Sequence, residues 1–170
     1  MSTQSPQRIL IIGAPGAGKS TLAAHLGKKT SLPVIHLDQQ FWQPGWQETP
    51  DRQWRDRVRQ LTDGERWIID GSYTGTLDLR LPRAELVIHL DLPRRVYMQR
   101  IIRRIVSSYG RVRPDMADGC PERFDWIFLK WAWNYPRRHA QLNRDLLATA
   151  ASHATVIHIR TPQELNRLYE

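Results

Sequence analysis

The chain has 170 residues, 41% of them hydrophobic, a composition that suits one domain with an apolar core. Its net charge of +8 arises from 21 arginines and only 4 lysines, which favours phosphate-bearing partners because the guanidinium group is a bidentate donor. No run approaches the roughly 20 apolar residues of a membrane span, and the single cysteine excludes an internal disulfide. With no apolar leader at the N-terminus, we expect a cytoplasmic protein.

Short apolar runs alternate with amphipathic segments along the chain. Strands are predicted at about 8–12, 33–37, 66–70, 86–90 and 155–159. Helices are predicted at about 18–29, 94–106 and 124–150, with others opening at 49–51 and at Pro162 and a bend near Pro136. Five short strands that alternate with helices predict a parallel sheet covered on both faces, a three-layer α/β fold. Right-handed crossovers would gather the carboxyl ends of the strands at one edge.

The segment between the first strand and the first helix reads Gly-Ala-Pro-Gly-Ala-Gly-Lys-Ser, a full match to the phosphate-binding P-loop pattern. Backbone amides of such a loop point at a polyphosphate, and the helix dipole adds positive potential. We expect Lys19 to reach the β- and γ-phosphates and the Ser20 hydroxyl to hold Mg²⁺. The sequence therefore predicts an ATP site formed by Gly13, Ala14, Pro15, Gly16, Ala17, Gly18, Lys19, Ser20 and Thr21.

Two carboxylates end predicted strands at the edge that carries the P-loop. Asp70 follows an apolar strand and is a candidate magnesium-side carboxylate, although an aspartate before Gly71 also suits a turn. Asp38 is a candidate to orient an acceptor hydroxyl or to take its proton, with a solvated loop residue as the alternative. Asp91 is more simply a helix cap. Histidines within the apolar strands (His36, His89 and His158) are interpreted as core or edge residues rather than as ligands.

Aromatic and basic residues complete the candidate site. Trp42 and Trp46 could stack on an acceptor base or sugar, or they could anchor the packing of their loop. From residue 94 to 113 there are seven arginines and no acid. Arg100 and Arg104 lie one helical turn apart, so they and Arg113 could close over the triphosphate; the alternative is a solvated basic face. Residues 107–123 lack periodicity and are interpreted as a mobile loop or lid.

The P-loop, Ile69-Asp70-Gly71 and Leu90-Asp91-Leu92-Pro93 together resemble adenylate-kinase-like P-loop kinases. A closer resemblance spans nearly the whole chain, to a small bacterial family labelled DNA topology modulation proteins or adenylate-kinase-related ATPases. The strings that carry it include His36-Leu37-Asp38, Pro44-Gly45-Trp46, Arg113-Pro114-Asp115-Met116-Ala117, Gly119-Cys120-Pro121-Glu122 and Trp133-Asn134-Tyr135-Pro136. The resemblance implies one kinase-like domain over 1–170, an acceptor insertion at about 39–64, a lid at about 107–123, and contacts of Arg100 and Arg104 with ATP.

The chain departs from adenylate kinases after the Asp-Gly element. Where those enzymes continue into an aromatic-Pro-Arg that holds a monophosphate, this chain reads Ser72-Tyr73-Thr74, and Arg80 is the nearest arginine downstream. We therefore assign Arg80 to the acceptor site together with Asp38, Trp42 and Trp46. The acceptor is then a nucleotide, a nucleoside or a small hydroxyl compound.

The leading hypothesis is an ATP- and Mg²⁺-dependent small-molecule kinase in which Lys19, Asp38, Asp70, Arg100 and Arg104 are catalytic. The alternative is a DNA-binding ATPase or regulator linked to DNA topology, although no helix-turn-helix, zinc or OB pattern is present. A nucleotide-binding protein without catalysis is a third possibility. Neither the acceptor nor the oligomeric state follows from the sequence.

Overall fold

A five-stranded parallel sheet in the order β2-β5-β1-β6-β7 forms the centre of the protein, in a computed structural model that describes residues 5–150 and 152–170. Its strands are β1 (Arg8–Gly13), β2 (Val34–His36), β5 (Trp67–Asp70), β6 (Leu86–Leu90) and β7 (Thr155–Ile159). The helices are α1 (Lys19–Thr30), α2 (Leu37–Phe41), α3 (Asp51–Thr62), α4 (Leu77–Arg80), α5 (Arg94–Ser108), α6 (Trp126–Ala150) and α7 (Pro162–Arg167). The predicted three-layer α/β fold is confirmed.

The strands are mostly apolar, most completely in the central β1, because both faces of the sheet are covered. On one face, Leu10 and Ile69 pack with Trp54 of α3 and Leu147 of α6. On the other face, Ile11 and its neighbours pack against α1 and α7. α5 joins α6 in a separate cluster beside the P-loop. None of the described helices is both long enough and apolar enough to cross a bilayer.

The segment that follows β2 is not the solvated loop that was the alternative interpretation of Asp38. The chain turns directly into the short helix α2, so Asp38 lies in the first turn of a helix. Two-residue strands β3 (Trp42–Gln43) and β4 (Gln47–Glu48) then pair in antiparallel fashion. Gly45 and Trp46 both have positive φ, 79° and 63°, and this pair of left-handed residues allows the tight reversal. We refer to residues 42–48 as the hairpin.

Candidate functional site

A cavity of about 1240 Å³ opens at the edge where the parallel strands end. The P-loop, the ends of β2 and β5, α5, the hairpin and the segment 113–116 all contribute to its wall. Small-molecule sites commonly have volumes of about 300–1,000 Å³, so this cavity has room for a nucleotide and a second small ligand. Of the predicted site residues, only Ala14, Ala17 and Arg80 do not line it.

The P-loop adopts a conformation that requires glycine. Gly13, Gly16 and Gly18 have φ of 146°, 72° and 102°. Gly18 is the N-cap of α1, and no side chain caps the first amides of that helix. The ammonium group of Lys19 donates to the carbonyl oxygens of Gly13 and Ala14 at 3.1 and 2.9 Å. Burial lowers the pKa of Lys19, although nearby carboxylates act in the opposite direction. The loop thus combines helix-terminal amides with a cation, the combination that polyphosphates require.

Gly16 provides a test of this loop conformation. A Cβ added there would lie 2.6 Å from Ile101 Cγ1 and 2.7 Å from the carbonyl oxygen of Tyr97. Because alanine also disfavours positive φ, we expect Gly16→Ala to lower the free energy of unfolding by roughly 2–4 kcal/mol. Gly75→Ala is the matched control, because a Cβ there meets nothing within 4 Å and should change stability by about 0.5 kcal/mol or less. Urea unfolding measures both, and an equal effect of the two substitutions would contradict the assignment.

Asp70 links the P-loop helix to β2. Its Oδ2 accepts a hydrogen bond from the Ser20 hydroxyl at 2.8 Å, and its Oδ1 lies 2.5 Å from Nδ1 of His36. The side chain is almost fully buried. Mg²⁺ in proteins takes one or two carboxylates and completes its shell with phosphate and water. Among the described residues no group of three or more His, Cys, Asp or Glu could hold a metal by itself. Ser20 and Asp70 therefore fit a magnesium ion that arrives with a nucleotide.

His36 is a site residue that the sequence interpretation missed. Burial is the largest single influence and disfavours the charged form, but the hydrogen bond to Asp70 and the negative charges of Asp70, Asp115 and Asp38 together raise the pKa of His36. In the parallel register of β2 and β5, His36 lies directly opposite Asp70. The sequence signal was its position at the end of a strand, one step before Leu37-Asp38.

Asp38 lies half-buried in the cavity wall, and its carboxylate is fixed by one strong partner. The Tyr73 hydroxyl donates to its Oδ1 at 2.6 Å. The Tyr73 ring is itself held between Phe41 and Trp54, with centroid distances of 4.9 and 5.0 Å. Burial raises the pKa of Asp38, while the Tyr73 hydrogen bond and the charge of Lys19 act to lower it. A carboxylate of raised pKa that is held in place can accept a proton from a bound hydroxyl.

The three predicted arginines converge on the P-loop side of the cavity. Arg100 donates to the carbonyl oxygen of Ala17 at 2.9 Å. Arg104 Nε and Arg113 Nε lie 3.1 and 3.4 Å from the same oxygen, Oε2 of Glu122. Glu122 is 6% exposed and was not a predicted site residue. Glu122, which lies at the other end of the predicted lid, therefore neutralises part of the positive charge of the arginine-rich segment.

The predicted lid segment is docked on the hairpin. The Trp46 indole N–H donates to the carbonyl oxygen of Pro121 at 3.1 Å, and the Gly45 amide donates to that of Gly119 at 2.9 Å. Trp42 and Trp46 pack against a small apolar cluster from the lid side (Met116, Ala117 and Cys120). Both tryptophans thus act as packing anchors, and both also line the cavity.

Arg80 is the predicted site residue that the structure corrects. Its side chain is fully buried and its guanidinium donates to the carbonyl oxygens of Gly71, Ser72 and Tyr73 at 2.6–2.9 Å. Burial lowers the pKa of Arg80 to about 9, so the group stays largely protonated at neutral pH. With its donors directed at backbone carbonyls, Arg80 fixes the loop after β5 and does not line the cavity.

We expect Arg80→Met to destabilise the fold by about 2–5 kcal/mol, because the three carbonyls would lose buried donors. Arg52→Met is the matched control, since Arg52 is an exposed arginine of α3. Urea unfolding compares the two variants. A stable Arg80→Met protein with an acceptor KM raised tenfold or more would return Arg80 to the acceptor site.

Comparisons with known proteins agree with this architecture. Residues 9–113 match the family model described as an AAA domain, AAA_18. The uncharacterized protein YqaC of Bacillus subtilis strain 168 is 33% identical over 134 residues, which cover 76% of this chain and 72% of YqaC. Two solved shikimate kinases share the fold at 15% identity. The Acinetobacter baumannii enzyme, in complex with shikimate, gives a TM-score of 0.61 over 95% of this chain and 88% of that one. The Bacteroides thetaiotaomicron enzyme gives 0.57 over 97% and 95%.

The family match and the structural match support the broader part of the resemblance, a kinase-like P-loop protein. The label that refers to DNA topology is not confirmed by them. The family model includes the P-loop, Asp70 and the arginines up to Arg113, and it spans more than half of the chain. The chain therefore belongs to the AAA-domain family AAA_18 of P-loop NTPases, and it has the P-loop kinase fold of the two shikimate kinases.

Proposed function

We propose that the protein is an ATP- and Mg²⁺-dependent phosphotransferase that moves the γ-phosphoryl group of ATP to a hydroxyl of a small molecule. One observation carries the proposal. The P-loop, the Ser20–Asp70 pair and the Asp38 carboxylate all open into the same cavity, beneath one docked lid segment.

In this proposal the P-loop amides and Lys19 bind the β- and γ-phosphates. Ser20 and Asp70 would hold Mg²⁺, whose contribution when bound is to neutralise phosphate charge. Arg100 keeps its hydrogen bond to the P-loop, while Arg104 and Arg113 contact the oxygens of the γ-phosphoryl group as it is transferred. Glu122 keeps the last two arginines side by side, which reduces the cost of ordering them when the phosphate arrives.

Asp38 would accept the proton of the acceptor hydroxyl while the oxygen of that hydroxyl forms a bond to the γ-phosphorus. The bond from that phosphorus to the β–γ bridging oxygen breaks, and ADP leaves with the electron pair. Tyr73 is a positioning residue in this scheme, because it holds one carboxylate oxygen of Asp38 and leaves the other for the substrate. We further propose that all of this belongs to one domain over 1–170, with residues 39–64 as the acceptor insertion and 107–123 as the lid.

The solved neighbours also support phosphotransfer, since both are named as shikimate kinases and one is in complex with shikimate. The test is a coupled ADP-release assay with ATP, Mg²⁺ and a panel of nucleosides, nucleotides, sugars and small hydroxy acids. We expect ADP release to depend on acceptor, with a phosphorylated product by mass spectrometry that Asp38→Asn abolishes. ADP release independent of every acceptor would contradict the proposal and indicate a simple ATPase.

A DNA-binding ATPase is a second candidate, and several exposed aromatic side chains favour it. Trp126 and Tyr109 are 69% and 67% exposed, and Arg94 stacks on the exposed ring of Trp133 at 4.8 Å. Exposed aromatic rings among arginines suit single-stranded nucleic acid. Fluorescence anisotropy with an oligonucleotide at several salt concentrations, with and without ATP, tests this candidate. Binding that depends on ATP supports it; a steep salt dependence that ATP does not alter indicates charge attraction alone.

A further inference from the structure

We propose that the acceptor is an uncharged or cationic hydroxyl compound, such as a nucleoside, a sugar or an amino sugar, and not a phosphate or carboxylate. The inference rests on the proposed phosphotransfer and concerns the part of the cavity between Asp38, the hairpin and the lid, which we refer to as the acceptor end. It follows from the distribution of charge there.

Carboxylates at the acceptor end outnumber the cations that could balance a bound anion. Asp38 receives a hydrogen bond from a neutral tyrosine hydroxyl and has no ion pair within 4 Å among the described residues, although the charge of Lys19 acts on it. Glu48 lines the same wall, and its side chain has no ionic partner among the described residues. Because Glu48 lies opposite Trp42 in the hairpin register, its carboxylate and the indole share one face.

In the proposed function Lys19, whose charge acts on Asp38, binds ATP, and the arginines that line this region are already paired. Arg113 lies 3.4 Å from Glu122 and 3.6 Å from Asp115. Arg123 stacks over the Trp46 ring at 5.4 Å and lies 3.4 Å from Asp125. An anionic acceptor would therefore have to compete with Glu122, Asp115 or Asp125 for these arginines, or lie near Asp38 and Glu48 without a counter-charge.

Arg80 is the arginine that would most simply bind an acceptor phosphate, but its donors are already used. It is the nearest arginine after the Asp-Gly element, and all three of its nitrogen atoms donate to groups within the loop that follows β5. A monophosphate in the acceptor end could not reach it. Trp42 and Trp46 instead offer flat apolar faces, which suit a sugar ring or a nucleoside base and also attract cations.

Isothermal titration in the presence of Mg²⁺ and a non-hydrolysable ATP analogue tests the inference with matched compounds. The probes are adenosine against AMP, and glucose and glucosamine against glucose 6-phosphate. We expect the uncharged or cationic member of each set to bind about tenfold tighter or more, because Asp38 and Glu48 line the cavity and neither has an ion pair with a described residue. Equal or tighter binding of the phosphorylated members, or no binding of any uncharged or cationic member, would overturn it.

A substitution in the hairpin distinguishes recognition of the ligand's charge from a nonspecific loss of ligand binding. Glu48→Gln should weaken glucosamine binding about two- to fivefold more than it weakens glucose binding. Glu65→Gln, which changes an exposed glutamate outside the cavity, should alter neither. An unchanged ratio of glucosamine to glucose affinity in Glu48→Gln would also count against the inference. If the uncharged or cationic compounds bind more tightly but no phosphorylated product forms, the proposed phosphotransfer is contradicted, while the inferred class of ligand is still supported.

Discussion

Lys19→Ala is expected to lower kcat/KM for ATP by about 10²–10³-fold, with a matching loss of ATP affinity. In the structure the ammonium group rests on the carbonyls of Gly13 and Ala14, inside the loop. A triphosphate offers it stronger acceptors than two neutral carbonyls, because the ligand is anionic. Titration calorimetry measures the affinity and the coupled assay measures turnover.

The control for this substitution is Lys28→Ala, since Lys28 is exposed in the last turn of the same helix. It should leave ATP affinity within about twofold, as expected for a surface charge away from the ligand. Undiminished ATP affinity in Lys19→Ala would contradict the whole assignment of the P-loop as the nucleotide site.

Asp38→Asn is expected to lower kcat by about 10²–10⁴-fold while the dissociation constant for ATP stays within about twofold. The carboxylate lies on the acceptor side of the cavity, and its loss removes the proton acceptor but no contact with the P-loop. Asp63→Asn, a change at an exposed aspartate after α3, should leave kcat unaltered. Equal kcat values for Asp38→Asn and wild type would exclude Asp38 as the base.

The pH dependence of kcat is an independent test of Asp38 as the general base. A base must be ionised, and burial raises the pKa of Asp38 above the ordinary value of 3.8. Activity should therefore fall as pH decreases through a midpoint above 3.8. Tyr73→Phe removes a hydrogen bond that lowers this pKa, so the midpoint should move to higher pH. A midpoint that does not move in Tyr73→Phe would contradict the positioning role of Tyr73.

The sheet and the P-loop could be predicted because their signals are local. Buried strands such as 86–90 are continuous apolar runs, and the loop needs glycine at fixed positions that any reader of the sequence can see. The convergence of Asp38 and Asp70 also followed, since parallel strands end at one edge. Whether these residues perform the predicted chemistry stays a prediction.

What could not be predicted depends on contacts between distant segments. Arg80 follows the Asp-Gly element as an acceptor-binding arginine would, yet its long side chain turns back to three backbone carbonyls. Glu122 reaches Arg104 across the base of the lid, and His36 meets Asp70 only because β2 and β5 are neighbours in the sheet. No pattern in one stretch of sequence specifies such pairings, because tertiary packing decides where a flexible side chain ends.

The contact between the hairpin and the lid has a kinetic consequence. Trp46 and Gly45 donate to carbonyls of residues 119 and 121, so in the proposed enzyme a lid movement that uncovers a bound nucleotide would also open the wall around the acceptor. Loading of both substrates and escape of both products would then share a single opening event. We expect that event to limit turnover once chemistry is fast, and to protect the γ-phosphoryl group from water in the interval before it.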